Sequence, residues 1–176
     1  RRQRQMCIRD SFSTAVQVVT VQDTTAPILT IPADYTVECS DEMPMEDASA
    51  TDNCGNFEIT LVMETVPGNA AGNYIILRTF TATDDAGNVT TLTQTITVQD
   101  TTAPVLTIPA DYTAECTDVL VYDEASATDN CGSIDIVLVE EIVEGECPQE
   151  YTLLRSFTAT DDAGNATTLT QTITVV

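Results

Sequence analysis

The 176-residue chain is strongly acidic, with 28 Asp and Glu residues against six arginines and no lysine or histidine. Such a surface repels nucleic acid and anionic lipid, which bind through Lys and Arg, and no apolar run approaches the roughly 20 residues that span a bilayer. Without histidine or lysine the usual general bases and Schiff-base nucleophiles are missing. We therefore expect no enzymatic activity, no nucleic-acid partner and no membrane insertion in this segment.

The start of the chain differs in composition from the rest. Four of the six arginines fall within the first nine residues, and nothing downstream repeats this basic stretch. We expect residues 1–11, which include Cys7, to be a non-native segment that takes no part in the fold. Residues 13–22 match the layout of 90–99, and we predict that residues 12–22 are the last strand of a truncated preceding repeat in a longer array.

An internal repeat organises the remaining chain. The segment Asp-Thr-Thr-Ala-Pro at 23–27 returns at 100–104, an offset of 77 residues, and the same offset superimposes 50–55 on 127–132 and 81–88 on 158–165. Aligned without gaps, the two copies agree at about two-thirds of positions. Self-similarity of this kind indicates tandem structural units. The sequence therefore predicts two modules, residues 23–99 (module 1) and 100–176 (module 2).

Within each copy the patterns are those of β-strands. Residues 93–98 alternate polar and apolar side chains, 59–62 and 74–80 are rich in β-formers, and Gly, Pro, Asn and Asp lie between them. Short strands with frequent turn signals predict an all-β fold, with two tandem immunoglobulin-like antiparallel β-sandwich modules of about seven strands each. We expect the core of module 1, and by the offset that of module 2, to contain Ile31, Ile59, Leu61, Ile75, Leu77, Phe80, Leu92 and Ile96.

Four motifs, each present twice and in the same order, carry a family resemblance. They are 23–27 (DTTAP), 35–39 (YTVEC), 50–54 (ATDNC) and 78–88 (RTFTATDDAGN), with counterparts from Asp100 onward. The combination resembles the hyalin-repeat (HYR) family of immunoglobulin-like modules, including those of bacterial surface adhesins. The resemblance implies a β-sandwich, an extracellular location, a part in adhesion and no catalytic residues. Many related repeats have a cysteine in the turn where this chain has Ala86 and Ala163.

The cysteines suggest disulfides. Cys39 and Cys54 are 15 residues apart, as are Cys116 and Cys131. A pair repeated in register predicts one disulfide within each module, Cys39–Cys54 and Cys116–Cys131, in an oxidising compartment. The alternative is a pair of reduced buried thiols. Cys147, which has Ala70 as its counterpart in the first copy, is expected to stay unpaired.

The repeated acids suggest a calcium site. Calcium takes six to eight oxygen ligands from carboxylates, amide side chains and carbonyls, and the layout is similar to that of cadherin repeats, where a linker Asp and two acidic turns share calcium. We predict a single site at the module junction, with calcium as cofactor. Its candidate ligands are Asp84, Asp85, Asn88, Asp100, Asp129 and Asn130. The alternative is that these residues only form side-chain-to-backbone turns.

These patterns favour a structural role. We expect an adhesive repeat segment of a secreted or cell-surface protein, forming a stiff stalk whose partners are neighbouring repeats of the same chain and a cell-surface glycan or protein ligand. The linker 98–104 has no Gly/Ser spacer, and Pro104 restricts Ala103. The alternative is an accessory spacer or carbohydrate-binding module of a secreted hydrolase, although the chain has no Trp and aromatic residues make up only 5%.

Overall fold

A computed structural model describes residues 15–147 and 149–176. The segment 1–11, predicted to be non-native, lies outside the described residues, as do residues 12–14 and Pro148. The described part contains twelve β-strands and no helix, so no helix there could cross a membrane. The prediction of an all-β chain with two tandem sandwich modules is confirmed.

Each module has six strands, one fewer than expected. In module 1 they are β1 (Ile28–Thr30), β2 (Tyr35–Glu38), β3 (Ser49–Thr51), β4 (Phe57–Pro67), β5 (Tyr74–Asp84) and β6 (Val89–Gln99). In module 2 they are β7 (Val105–Thr107), β8 (Tyr112–Ala114), β9 (Ser126–Thr128), β10 (Ile134–Glu144), β11 (Tyr151–Asp161) and β12 (Ala166–Val175).

The two modules share one topology. In module 1 a four-stranded sheet with the order β2-β6-β5-β4 faces the two-stranded sheet β1-β3, and in module 2 the sheet β8-β12-β11-β10 faces β7-β9. All strand pairs are antiparallel except β2 with β6 and β8 with β12, which run parallel. Because β2 runs parallel to β6, both strands end at the same end of module 1. This direction decides which loops meet at the junction.

The core follows the two-residue alternation of β5 and β6. On β5 the buried positions are 76, 78, 80, 82 and 84, and on β6 they are 94, 96 and 98. The predicted core is confirmed at Phe80 and Ile96, while Ile31 and Ile59 are partly buried and pack on Leu29.

The other four predicted core residues are not buried, for two different reasons. Ile75 and Leu77 lie on the other face of β5. Leu61 and Leu92 both pair with Phe80 and therefore lie on the core face, but they are 43% and 40% exposed. Arg78 explains the register error at Ile75 and Leu77, because this charged residue occupies a central core position and interrupts the apolar alternation of β5. Its guanidinium donates to Gln94 Oε1 at 2.8 Å and stacks on Phe80, 5.0 Å from the ring centroid.

Candidate functional site

Three carboxylates meet at the start of module 2. Asp100 follows β6, Asp129 follows β9 and Asp161 ends β11, so three loops bring the acids together. One oxygen of each lies within 4.8 Å of the others. Ligand oxygens on opposite sides of a calcium ion are separated by about the same distance, since each bond is about 2.4 Å. The spacing of this junction cluster fits a divalent cation.

Two of these carboxylates each have an unsatisfied oxygen. Asp100 Oδ1 accepts from the Thr102 backbone N–H at 3.1 Å, and Asp129 Oδ2 accepts from that of Cys131 at 2.9 Å. Asp100 Oδ2 and Asp129 Oδ1 are buried and have no hydrogen-bond partner. A buried acceptor without a donor costs about 1–3 kcal/mol, and a cation would satisfy both oxygens.

The third carboxylate is held ionised by its own turn. Burial acts to raise the pKa of Asp161, but hydrogen bonds from Asn165, Gly164 and Ala163 outweigh it and leave the pKa below its usual value. The Asn165 side-chain amide donates to Asp161 Oδ2 at 2.9 Å and to the Asp100 carbonyl at 3.2 Å. The Asp-Asp-Ala-Gly-Asn turn therefore fixes both the charge and the position of Asp161.

An equivalent set, the N-terminal cluster, lies at the start of module 1. It consists of Asp23, Asp52 and Asp84, again with one oxygen of each within 4.8 Å of the others. Asp23 Oδ2 and Asp52 Oδ1 are the buried oxygens without a partner, and the pKa of Asp84 is lowered chiefly by the Asn88 side chain. The two clusters differ in solvent exposure, since Asp100 is 5% exposed whereas Asp23 is only half-buried.

No basic side chain balances either cluster. Within residues 15–147 and 149–176 the one salt bridge is Arg155–Glu140. Three carboxylates held together without a counter-ion repel one another, and this repulsion favours the binding of a divalent cation.

The structure corrects the predicted ligand set. It brings Asp100 and Asp129 together, but their third member is Asp161, and Asp84 belongs to the other cluster. The reason is that the Asp84 turn and Asp100 lie at opposite ends of the 11-residue β6, about 33 Å apart at ~3.3 Å per residue. Asp161 could have been found from the sequence, as the counterpart of Asp84.

The three other predicted ligands have different roles. The Asp85 carboxylate accepts from the backbone N–H and the side-chain amide of Asn56, each at 3.3 Å. The Asn130 side chain donates to Ser40 Oγ at 3.3 Å and thus contacts module 1. Asn88 supports Asp84, donating to its Oδ2 at 2.8 Å.

The structure also corrects the disulfides. Cys39 of module 1 is bonded to Cys131 of module 2, with the Cα atoms 6.4 Å apart, and Cys54, Cys116 and Cys147 are free and exposed. Pairing within a module is wrong because its two cysteines lie at opposite ends. The Cys39 backbone N–H donates to the carbonyl of Gln99, the last residue of β6, whereas the Cys54 backbone N–H donates to Asp52 in the N-terminal cluster.

Hydrogen bonds complete the junction around this disulfide. Glu38 Oε1 accepts from the Thr101 backbone N–H at 2.7 Å and from the hydroxyls of Thr101 and Thr102 at 2.9 and 3.0 Å. These donors, the Thr101 backbone foremost, lower the pKa of Glu38. The Asp100 backbone N–H donates to Asn73 Oδ1 at 2.8 Å. A charged side chain of module 1 thus holds the linker.

Gly72 allows the close approach of the two modules. A Cβ at Gly72 would lie 2.9 Å from the Cβ of Asp100 and 3.2 Å from that of Cys131. Any larger residue would displace the linker or the bonded cysteine. Module 2 has Gln149 at the equivalent position.

Comparison with known proteins supports HYR-like modules. Residues 27–98 match the family described as "HYR-like domain with 4 cysteines", although that range contains only two. The chain is 33% identical to hyalin of Lytechinus variegatus over 181 residues, which cover 92% of this chain and 33% of that protein. The chain thus spans about a third of the length of this relative.

The matches among solved structures are weak. The chain matches Drosophila N-cadherin EC1-4 with a TM-score of 0.38 and 14% identity, over 86% of this chain and 50% of that one. Human mucin-like protocadherin EC1-2 matches with a TM-score of 0.36 and 15% identity, over 85% and 98%. Similarity at this level supports no conclusion about function.

Proposed function

We propose that this chain is a structural segment of a secreted or cell-surface adhesion protein, in which modules joined end to end form a stiff stalk with no catalytic role. The observation that carries this proposal is the disulfide between Cys39 and Cys131, which joins one module to the next. The resemblance to hyalin repeats and the match to hyalin support an extracellular setting, where disulfides persist.

Three features favour a rigid junction. The disulfide links positions 92 residues apart, Glu38 binds both linker threonines, and Pro104 is fully buried at the entry to β7. Modules joined by a flexible linker would move independently. Here a covalent bond, hydrogen bonds and packing all restrain the region where the two modules meet, as a stiff stalk requires.

Calcium is the proposed cofactor of both acidic clusters. Each cluster combines three carboxylates at the spacing of a calcium shell with two buried oxygens that no protein group satisfies. Oxygen-only ligands suit calcium better than transition metals. Because the junction cluster includes the linker residue Asp100, an ion bound there would add its binding energy to the rigidity of the junction.

The stalk proposal is tested by the relative motion of the modules. We expect NMR residual dipolar couplings from modules 1 and 2 to fit one common alignment tensor in the oxidised protein with calcium. Cys39→Ser should separate the tensors, whereas Cys147→Ser, which removes an exposed thiol outside the junction, should not. Two independent tensors in the intact oxidised protein would contradict the proposal.

Calorimetry tests the calcium proposal. We expect two binding events, of which Asp100→Asn removes one. Asparagine retains an oxygen that accepts from Thr102 but loses the charge. The control, Asp47→Asn, makes the same charge change at an exposed acid outside both clusters and should leave both events. In the absence of calcium, Asp100→Asn should raise the melting temperature because it relieves carboxylate repulsion. If no heat of binding is detected at millimolar calcium, the clustered acids serve only to form turns.

A carbohydrate-binding module of a secreted hydrolase is the weaker candidate. Such modules use exposed aromatic platforms, but Phe80 and Phe157 are 2% and 3% exposed. The Tyr35 and Tyr112 hydroxyls donate to the backbone carbonyls of Pro44 and Val121. These repeated aromatics support the sandwiches.

A further inference from the structure

The segment Ala15–Gln22 has the sequence of a core strand without a sheet around it. At the repeat offset Gln17 corresponds to Gln94, Val19 to Ile96 and Val21 to Val98. In module 1 these three β6 residues are at most 2% exposed. In contrast, Val19 is 72% exposed and Val21 is 91% exposed, and the segment forms no strand. Its apolar face therefore lacks the partner that β2 and β5 provide for β6.

Cys54 lies at the same end of module 1 and also lacks a partner. It is exposed and free, although its counterpart Cys131 is bonded across the junction to Cys39. The surroundings match, since the Cys54 and Cys131 backbone N–H groups donate to Asp52 and Asp129 at 2.8 and 2.9 Å. The start of module 1 thus has the residues that module 2 contributes to the observed junction.

We infer that Ala15–Gln22 and Cys54 together form a docking surface for a third module of this repeat type. The segment would lie in that module as its sixth strand, covering Val19 and Val21. Cys54 would form a disulfide with the cysteine that follows that module's second strand. In this step two thiols lose two protons and two electrons to an external oxidant, such as glutathione disulfide or molecular oxygen, as for any extracellular disulfide. The inference rests on the proposed stalk, because it extends the observed junction by one module.

The observed junction also specifies the partner. The partner needs a Glu at the end of its second strand and a Cys directly after it, because Glu38 binds the linker and Cys39 forms the bond. It also needs glycine at the position of Gly72, where a side chain would meet the linker acid and the bonded cysteine. The far end of module 2 has Gln149 there, so a second copy of this chain does not meet the specification.

The inference is tested with a three-module chain. A copy of residues 23–89 is placed directly before residue 13, so that 13–22 take the place of 90–99. After oxidation, peptide mapping should find the added Cys39 bonded to Cys54, and hydrogen exchange should protect Val19 and Val21 as strongly as Ile96 and Val98. In the two-module chain, Cys54 should remain open to alkylation under native conditions.

Matched variants distinguish strand docking from chance oxidation. Val19→Thr with Val21→Thr places hydroxyls on the inward face and should abolish both the protection and the Cys54 bond. Val16→Thr with Val18→Thr makes the same change on the outward face, where β6 has Thr93 and Thr95, and should have no effect. Gly72→Gln in the added copy should prevent the bond.

The bond between Cys39 and Cys131 is the internal reference. If the Cys39–Cys131 bond forms but Cys54 of the three-module chain is still free to react with the alkylating reagent, this inference is wrong and the stalk proposal stands. If it does not form either, the stalk proposal fails as well. Equal behaviour of the two double variants would also overturn strand docking.

Discussion

The two acidic clusters contain the same residue types at an offset of 77, but only one lies under a neighbouring module. Asp100 is 5% exposed because Gly72 and Asn73 of module 1 lie against the linker, whereas Asp23 is half-buried. Charges interact more strongly when water is excluded. The sequence of a module therefore provides the carboxylates, and the preceding module determines how far water is excluded from them.

The two core arginines show a second difference between the modules. Arg155 donates through Nε to Glu140 Oε1 at 3.0 Å and stacks on Tyr122, 4.9 Å from the ring centroid. Arg78 has Met63 and Met45 at the corresponding positions, and its Nε is buried without a partner. Module 1 keeps the same fold with a poorer arginine site, so the fold does not require the ion pair.

The largest effect is expected at the cysteines. Cys131→Ser should lower the free energy of unfolding by about 4.6 kcal/mol, because the chain-entropy treatment gives that value for a loop of this length. Cys54→Ser, the same change in the same motif, should alter it by less than about 0.5 kcal/mol. Urea denaturation under oxidising conditions measures both. With reductant present the two variants should have equal free energies of unfolding. If they lose equal stability without reductant, the junction disulfide contributes nothing to stability.

The calcium sites should differ in affinity. We expect the covered junction cluster to bind more tightly, so that Asp100→Asn removes the tighter event, a loss of at least about tenfold or ~1.4 kcal/mol. Asp23→Asn should affect only the weaker event. Calorimetric titration of each variant identifies the site. If Asp23→Asn removed the tighter event, burial of the junction cluster by module 1 could not be what sets the calcium affinity.

Exchanging the arginine partners should have opposite effects in the two modules. Glu140→Met should destabilise module 2 by about 1–2 kcal/mol, because it leaves Arg155 Nε unsatisfied. Met63→Glu should stabilise module 1 by less than about 1 kcal/mol, since the Glu140 side chain is 47% exposed in the existing pair and solvent weakens such pairs. Glu141→Met, on the opposite face of β10, is the control. Thermal unfolding of each variant provides the test, and stabilities that move in the same direction would contradict it.

The smallest effect concerns pH. Because the pKa of Glu38 is lowered from 4.5 in the folded protein, its contribution to the junction is complete above pH 4.5. The contribution is lost as pH falls through the lowered value. The oxidised Glu38→Gln variant should therefore show a weaker dependence of melting temperature on pH below 4.5 than the parent. Glu115→Gln, the counterpart at the far end of module 2, should retain the full dependence.

The local features could be predicted from the residues alone. The offset of 77 predicted two modules, and alternation of polar and apolar residues predicted the long strands. The repeated acidic motifs predicted that Asp100 and Asp129 lie close together, and they are neighbours, while calcium binding there stays a prediction. These features depend on residues close together in the chain, where side-chain periodicity and turn preferences act directly.

Which loops lie at the same end of a module depends on contacts between distant parts of the chain. Parallel pairing of β2 with β6 carries Cys39 to the junction, and the length of β6 places the Asp84 turn at the opposite end. Neither the direction of a short strand nor its neighbour in the sheet can be read from its own residues, because pairing depends on contacts distant in the chain. For the same reason the sequence concealed Arg78, whose core position depends on Gln94 of the adjacent strand and on the Phe80 ring.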